Sequence, residues 1–125
     1  MTKEKSIRQL LRRLGATGTY VGFEYVVYCT SLAIEDRTAI QYVTKGVYVD
    51  AAKRFRTSVK CVERNIRTVI TLIWEHGDRE LLDDIAGRTL AERPKGSAFI
   101  DMLADYVTRQ GEEEDQLEKK MDKIV

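Results

Sequence analysis

A dense group of basic side chains between residues 53 and 67 is the part of this sequence that most clearly suggests chemistry. The stretch contains one acid, Glu63, and six bases: Lys53, Arg54, Arg56, Lys60, Arg64 and Arg67. Lysine and arginine bind phosphate, and arginine also recognises guanine through two hydrogen bonds. The 125-residue chain has a net charge of only +1, so this basic patch stands out from a nearly neutral background. The patch indicates contact with nucleic acid, and a solvated helix face is the alternative.

The other residue types that could do chemistry do not form a recognisable site. The two cysteines and the one histidine, Cys29, Cys61 and His76, are one ligand short of a structural zinc site and widely spaced. Two cysteines also do not make a disulfide scaffold, so reduced thiols are expected. No nucleophile–base pair, carboxylate pair or phosphate-binding loop is recognisable. We therefore expect no metal, no cofactor and no enzymatic activity.

The spacing of apolar residues places the basic patch in a helix-turn-helix over about residues 49–76. Such a motif needs a small residue in its first helix, a short turn, and an apolar residue facing inward from its second helix. Ala52, the turn at residues 56–58 and Val62 meet these needs. The second helix is predicted over residues 59–76, and its inward stripe continues with Ile66, Val69 and Ile73.

The two halves of this second helix differ in character. In the first half, Lys60, Arg64 and Arg67 recur at i, i+4 and i+7 on the face away from the apolar stripe. The second half, residues 69–74, is apolar on nearly all sides. This asymmetry predicts that the second half lies in the core while the first half projects from the domain. A recognition helix enters the major groove of DNA in this way, and its N-terminal dipole favours nearby phosphate.

The apolar period is helical along most of the chain, which predicts an all-α domain of about six helices. A first helix ends at Gly15, and residues 23–34 form a central, largely buried helix. Asp36 is a candidate N-cap for a helix carrying Ile40, Val43 and Val47, and a short helix follows over residues 49–55.

The elements after the helix-turn-helix are predicted from capping residues. Ser58 or Thr57 caps the long helix, Gly77 ends it, and Asp78 caps a short helix that ends at Gly87. Residues 88–96 form a loop, and Ser97 caps a last helix whose inward residues are Phe99, Met102, Leu103 and Tyr106.

The predicted domain covers residues 1–110 and is followed by a charged tail, residues 111–125. Between residues 112 and 123 the tail has six acids and three bases. Leu117, Met121 and Ile124 have helical spacing, although a short helix there is marginal alone. One hypothesis is that the acidic run covers the basic helix of the same chain. No apolar run is long enough to span a membrane and no secretory signal is recognisable, so we expect a cytoplasmic protein.

Several segments in order resemble one known family. The segment Val62-Glu-Arg-Asn-Ile-Arg67, followed by Trp74 and Gly77, is similar to the family's recognition helix. Residues 14–15 and 22–25 resemble its first loop and second helix, residues 43–55 its approach to the motif, and residues 94–105 its last helix. The family is the DNA-binding effector domain of stage-zero sporulation protein A, the response regulator that starts sporulation in endospore-forming bacteria. The resemblance covers about residues 7–107.

The resemblance implies a transcription regulator that reads a short DNA box in the major groove with helix 59–76. It implies that Glu63 and Arg64 approach base edges and that Arg67 contacts the backbone or a nearby base. It also implies binding as dimers on paired boxes and contact with an RNA polymerase sigma factor. Together with the residue pattern, it gives these candidate DNA contacts: Arg56, Ser58, Lys60, Cys61, Glu63, Arg64 and Arg67.

The sequence departs from the family pattern at several positions. Cys61 stands where the family has an arginine before Val-Glu-Arg, and Thr19 and Val21 stand where it has basic phosphate contacts. Losing two phosphate contacts lowers affinity and flattens the salt dependence of binding by about two units of slope. These 125 residues also hold no counterpart of the family's receiver domain. The alternative function is therefore a protein-interaction module, or an antagonist of the full-length regulator, without its own DNA site.

Overall fold

The structure, a computed structural model, describes residues 2–36 and 46–124. Over these residues the structure has six helices and no strand, which confirms the predicted all-α fold class. The helices are α1 (Lys3–Leu14), α2 (Val21–Glu35), α3 (Val47–Arg54), α4 (Val59–His76), α5 (Arg79–Ala86) and α6 (Gly96–Ile124).

Helix α2 lies at the centre of the bundle. It packs against α1, α3, α4 and α6, and most of its residues are buried, including Phe23 and Val26. These side chains join those of the surrounding helices in one continuous apolar core. The central buried helix predicted over residues 23–34 is thus confirmed, with two more residues at its start and one at its end.

Helix α1 is joined to α2 by polar contacts as well as by its apolar face. The Arg8 guanidinium donates two hydrogen bonds, of 2.5 and 2.8 Å, to the two carboxylate oxygens of Glu24. The hydrogen bonds from Arg8 lower the pKa of the Glu24 carboxyl below its usual value. Near the other end of α1, Lys3 pairs with Glu35. Helices α1 and α2 are therefore antiparallel. The C-terminus of α1 lies next to the C-terminus of α4.

Two glycines set the position of α4 because neighbouring backbone lies where a side chain would be. A Cβ atom on Gly22 of α2 would be 2.1 Å from the carbonyl oxygen of Asn65 in α4. A Cβ atom on Gly77, after α4, would be 2.2 Å from the carbonyl oxygen of Leu14 in α1. The N–H of Asp78 donates to that same oxygen at 3.0 Å. Helix α4 is therefore held by close backbone contact at its middle and at its C-terminal end.

Three helices end with the same backbone geometry, and only two of them use glycine. At the ends of α1 and α5, Gly15 and Gly87 have φ of 107° and 74° and close a paired hydrogen-bond motif with the last turn. At the end of α3, the same motif is closed by Arg56, with φ of 54°. The N–H groups of Arg56 and Thr57 donate to the carbonyls of Lys53 and Ala52. A left-handed arginine is unfavourable, since this conformation suits glycine.

The structure differs from the sequence-based expectations at three places. The short helix predicted over residues 49–55 is α3, which begins two residues earlier, at Val47. The helix predicted to carry Ile40 and Val43 lies outside the described residues, and Asp36, its candidate cap, follows the last residue of α2. Helix α6 begins at Gly96, so the prediction that Ser97 caps it is wrong. Its first hydrogen bond runs from the N–H of Phe99 to the carbonyl of residue 95. The tail is also not a separate short helix, because α6 continues through Gly111 without a break.

We expect that Gly22→Ala lowers the free energy of unfolding by about 1–3 kcal/mol, the usual range for overpacking a filled core. The added methyl group has backbone of α4 in its place, so the two helices must move apart. Thermal or urea unfolding followed by circular dichroism measures the change. Gly18→Ala is the matched control, because nothing lies within 4 Å of its Cβ position. Equal stability of the two variants would contradict the close crossing of α2 and α4.

We expect that Arg56→Gly raises the free energy of unfolding by about 0.5–1 kcal/mol. Relief of the left-handed strain, about 1–2 kcal/mol, exceeds the extra chain entropy of glycine in the unfolded state, about 0.4–1 kcal/mol. The same denaturation experiment measures it, with Arg54→Gly inside α3 as the destabilising comparison. A loss of stability in the Arg56 variant would contradict the left-handed geometry of this turn.

Candidate nucleic-acid interface

The long helix predicted over residues 59–76 is present with the same bounds as α4. The hydroxyl of Ser58 accepts a hydrogen bond of 3.1 Å from the N–H of Cys61 and so caps the first turn. Its inward stripe is buried along the whole helix: Val62, Ile66, Val69, Ile70 and Ile73. This continuous apolar stripe anchors α4 in the core and leaves its opposite face free.

The opposite face of α4 carries the basic residues that the sequence singled out. Lys60, Arg64 and Arg67 are all exposed, and within the described residues none of them forms an ion pair. Seven residues of helix span roughly 10 Å, which is about three base-pair steps of 3.4 Å. The structure therefore presents three unneutralised cations in a row, at a length that suits direct contact with a few base pairs.

The first helix of the motif and its turn are fixed by aromatic packing. The Phe55 ring, directly after α3, lies 4.9 Å from the ring of Tyr25 and 5.6 Å from that of Tyr28, both in α2. Ala52, the small residue predicted for the first helix, is buried. Helices α3 and α4 thus form a helix-turn-helix on one side of α2, and Arg56 is exposed at its turn.

Cys61 lies at the edge of the basic face, on the side towards α2. Its thiol is half-buried beside the hydroxyl of Tyr25, whose pKa is raised by burial and then by the neighbouring Cys61. The side-chain amide of Asn65 donates to the Cys61 carbonyl at 2.8 Å. Cys61 is therefore partly engaged with the domain, unlike the three exposed cations.

Glu63 lies on the other side of α4, beside Arg67 and the buried Tyr48 of α3. Burial raises the pKa of the Tyr48 hydroxyl, and the nearby Glu63 carboxylate adds to this rise. Glu63 itself is half-buried and lines an open groove next to the basic face. From this position its carboxylate can accept a hydrogen bond from a base amino group at the groove edge.

The far wall of this groove is a basic loop that the sequence analysis did not include among the site residues. Residues 88–95 line it together with Glu63 and Arg67. The guanidinium of Arg93 donates a 2.6 Å hydrogen bond to the hydroxyl of Thr71, one turn beyond Arg67 in α4. The sequence shows three bases in this loop, Arg88, Arg93 and Lys95, but it does not show that a loop more than twenty residues away packs beside α4.

The acidic tail does not lie on the basic face of α4. Residues 111–123 are exposed. The start of the tail lies beside α1, with which it forms a groove lined by Gln9 and Arg13. The hypothesis that the tail covers the basic helix of the same chain is therefore not what the structure shows. In the described ranges no helix is long and apolar enough to cross a membrane, and there is no cluster of metal-binding side chains.

The fold and the basic helix-turn-helix agree with what a comparison with known families finds. The family described as "Sporulation initiation factor Spo0A C terminal" matches residues 7–107, which cover all of α2 to α5 and end within α6. The part of α6 beyond residue 107 extends past the matched region. The family consists of DNA-binding domains linked to transcription regulation in sporulation and is not a known enzyme family. Residues 7–107 span most of the chain, which therefore belongs to the family of Spo0A C-terminal, DNA-binding effector domains.

Proposed function

We propose that this protein is a sequence-specific transcription regulator that reads the major groove with the first half of α4. The observation that carries the proposal is the exposed row of Lys60, Arg64 and Arg67, which has no ion pair among the described residues, on a helix whose other face is buried. An α-helix fits the major groove, where each base pair presents a distinct set of donors and acceptors. Its action on bacterial DNA would take place in the cytoplasm.

The residues of this face have different roles in the proposal. Arg64 donates two hydrogen bonds to the O6 and N7 atoms of a guanine, and Glu63 accepts one from the amino group of a cytosine. Lys60 and Arg67, before and after them on the helix, bind phosphate or a neighbouring base. At the start of the helix, Arg56 and the backbone around the cap at Ser58 face the sugar-phosphate chain, and Cys61 contacts the groove at its edge.

We expect that Arg64→Ala weakens binding to the preferred site by about 1–3 kcal/mol and relaxes specificity at one base pair. Duplexes selected from a random pool by the wild-type protein supply that site, and titration at one stated salt concentration measures the affinity. Lys119→Ala in the tail is the matched control, since it removes the same charge far from α4. The Arg64 side chain is exposed and forms no hydrogen bond or ion pair within the described residues, so stability should not change.

The alternative function, a protein-interaction module or antagonist without its own DNA site, predicts a different result. Selection would then enrich no common sequence, and Arg64→Ala would behave like Lys119→Ala on every duplex. That outcome would contradict the proposed reading of DNA by α4.

The proposal includes the two further partners that the family resemblance implies, a second copy on paired sites and an RNA polymerase sigma factor. We expect the affinity of a second copy to rise when two selected sites lie side by side in one duplex. Gel-shift titration on one-site and two-site duplexes measures this rise in affinity. For the other partner, a purified sigma factor added to the protein–DNA complex should slow the migration of that complex further. Independent filling of the two sites would contradict pairing of the protein on DNA.

A further inference from the structure

The two segments that lie on either side of the exposed face of α4 differ in charge. The proposed function concerns the side chains of α4 and does not use these two segments. Residues two apart in an α-helix point in directions about 160° apart, that is, to nearly opposite sides of the helix. Asn65 therefore faces one side of α4, where α2 begins, and Arg67 faces the other, where the loop of residues 88–95 lies. Any duplex that lies along the exposed face of α4 has one of these segments on each side.

The segment on the first side carries no charge. It connects α1 to α2, and no acidic or basic residue occurs in residues 14–23. Thr17, Gly18, Thr19, Tyr20 and Val21 are all exposed there, and the hydroxyls of Thr17 and Thr19 bond to each other at 2.7 Å. The segment itself offers hydroxyl groups and apolar surface to a phosphate chain but no cation; the cation next to it is Arg12 of α1, whose guanidinium lies 5.8 Å from the Phe23 ring.

The segment on the second side is basic and held in place. Residues 88–95 contain three bases and one acid, Glu92. The N–H of Leu90 donates 3.0 Å to the carboxylate of Asp83 in α5, and the Leu90 side chain is buried. Arg93 is hydrogen-bonded to Thr71 of α4. The loop is therefore attached to α5 through Leu90 and to α4 through Arg93. The side chains of Arg88 and Lys95 remain exposed, and neither forms an ion pair in the described part of the chain.

We propose that the loop of residues 88–95 binds the phosphate backbone of DNA on one side of the recognition helix, through Arg88 and Lys95. The inference rests on the proposed function, because it places the duplex along the exposed face of α4. Phosphate contacts fix the position of a protein on DNA without reading its sequence. Of the two loops that flank α4, only the loop of residues 88–95 therefore brings cations to the backbone, since the loop on the other side is uncharged.

The salt dependence of binding tests this directly, because each phosphate neutralised by a cation adds about 0.9 to the slope of log K against log salt. We compare the wild type with Arg88→Gln/Lys95→Gln on a selected duplex and on a scrambled one. We expect the slope to become less steep by about two units in the loop variant. Between 50 and 200 mM salt, the wild type then loses about tenfold more affinity than the variant. At a fixed salt concentration, the loop variant should bind both duplexes more weakly than the wild type by a similar factor, since backbone contacts do not select sequence.

The matched control is Lys119→Gln/Lys120→Gln, which removes the same two charges from the exposed tail. Its slope should equal that of the wild type. If the two double variants have the same slope, the loop does not contact phosphate, although reading of DNA by α4 still stands. If the wild type binds no duplex at any salt concentration, the proposed function fails and this inference fails with it. Circular dichroism melting checks that both variants fold, as expected for exposed side chains without partners.

Discussion

The close crossing of α2 and α4 at Gly22 is the constraint on which the geometry of the basic face depends. Backbone of α4 lies where a side chain at position 22 would be, so the middle of α4 is fixed against the most buried helix of the bundle. The contact of Gly77 with Leu14 fixes its C-terminal end. The inner face of α4 is buried along its length, and the cations lie on the opposite, exposed face of its first half.

Burial and charge are separated along and around α4 with little energetic conflict. Its apolar stripe is removed from water over five turns, which contributes to the core of the domain. Its lysine and arginine side chains stay hydrated, so the folded domain does not bear the cost of a buried charge. Because no acid of the described fold neutralises them, these cations are available to replace the counterions of a nucleic acid. The positively charged face therefore costs the folded domain little stability.

Much of this arrangement could be predicted from the sequence, and the reason is local. The bounds of α4 follow from the Ser58 cap, the apolar stripe and Gly77, all of which act within one helix. The exposure of Arg64 follows from the same periodicity. The start of α6 was predicted two residues late: Ser97 is a good capping residue and a cap there places the first helical residue at 98, whereas α6 begins at Gly96. The continuation of α6 into the tail was not predicted, since a charged segment without core contacts gives little signal of its own.

The features that could not be predicted depend on contacts between distant residues or on backbone conformation. The place of the 88–95 loop beside α4 depends on the bond between Arg93 and Thr71, which are separated by 22 positions. The left-handed Arg56 has no signal in the sequence, because glycine is the residue expected at such a turn. This strained, exposed arginine beside the candidate interface supports the proposed contact of Arg56 with DNA.

The most direct test of the central claim is chemical interference on a duplex selected by the protein. Methylation at guanine N7 modifies the major groove, and methylation at adenine N3 modifies the minor groove. The account predicts that guanine N7 methylation within a stretch of about three or four base pairs prevents binding, whereas adenine N3 methylation there has little effect. Interference from adenine N3 alone, or from neither modification, would contradict major-groove reading by α4.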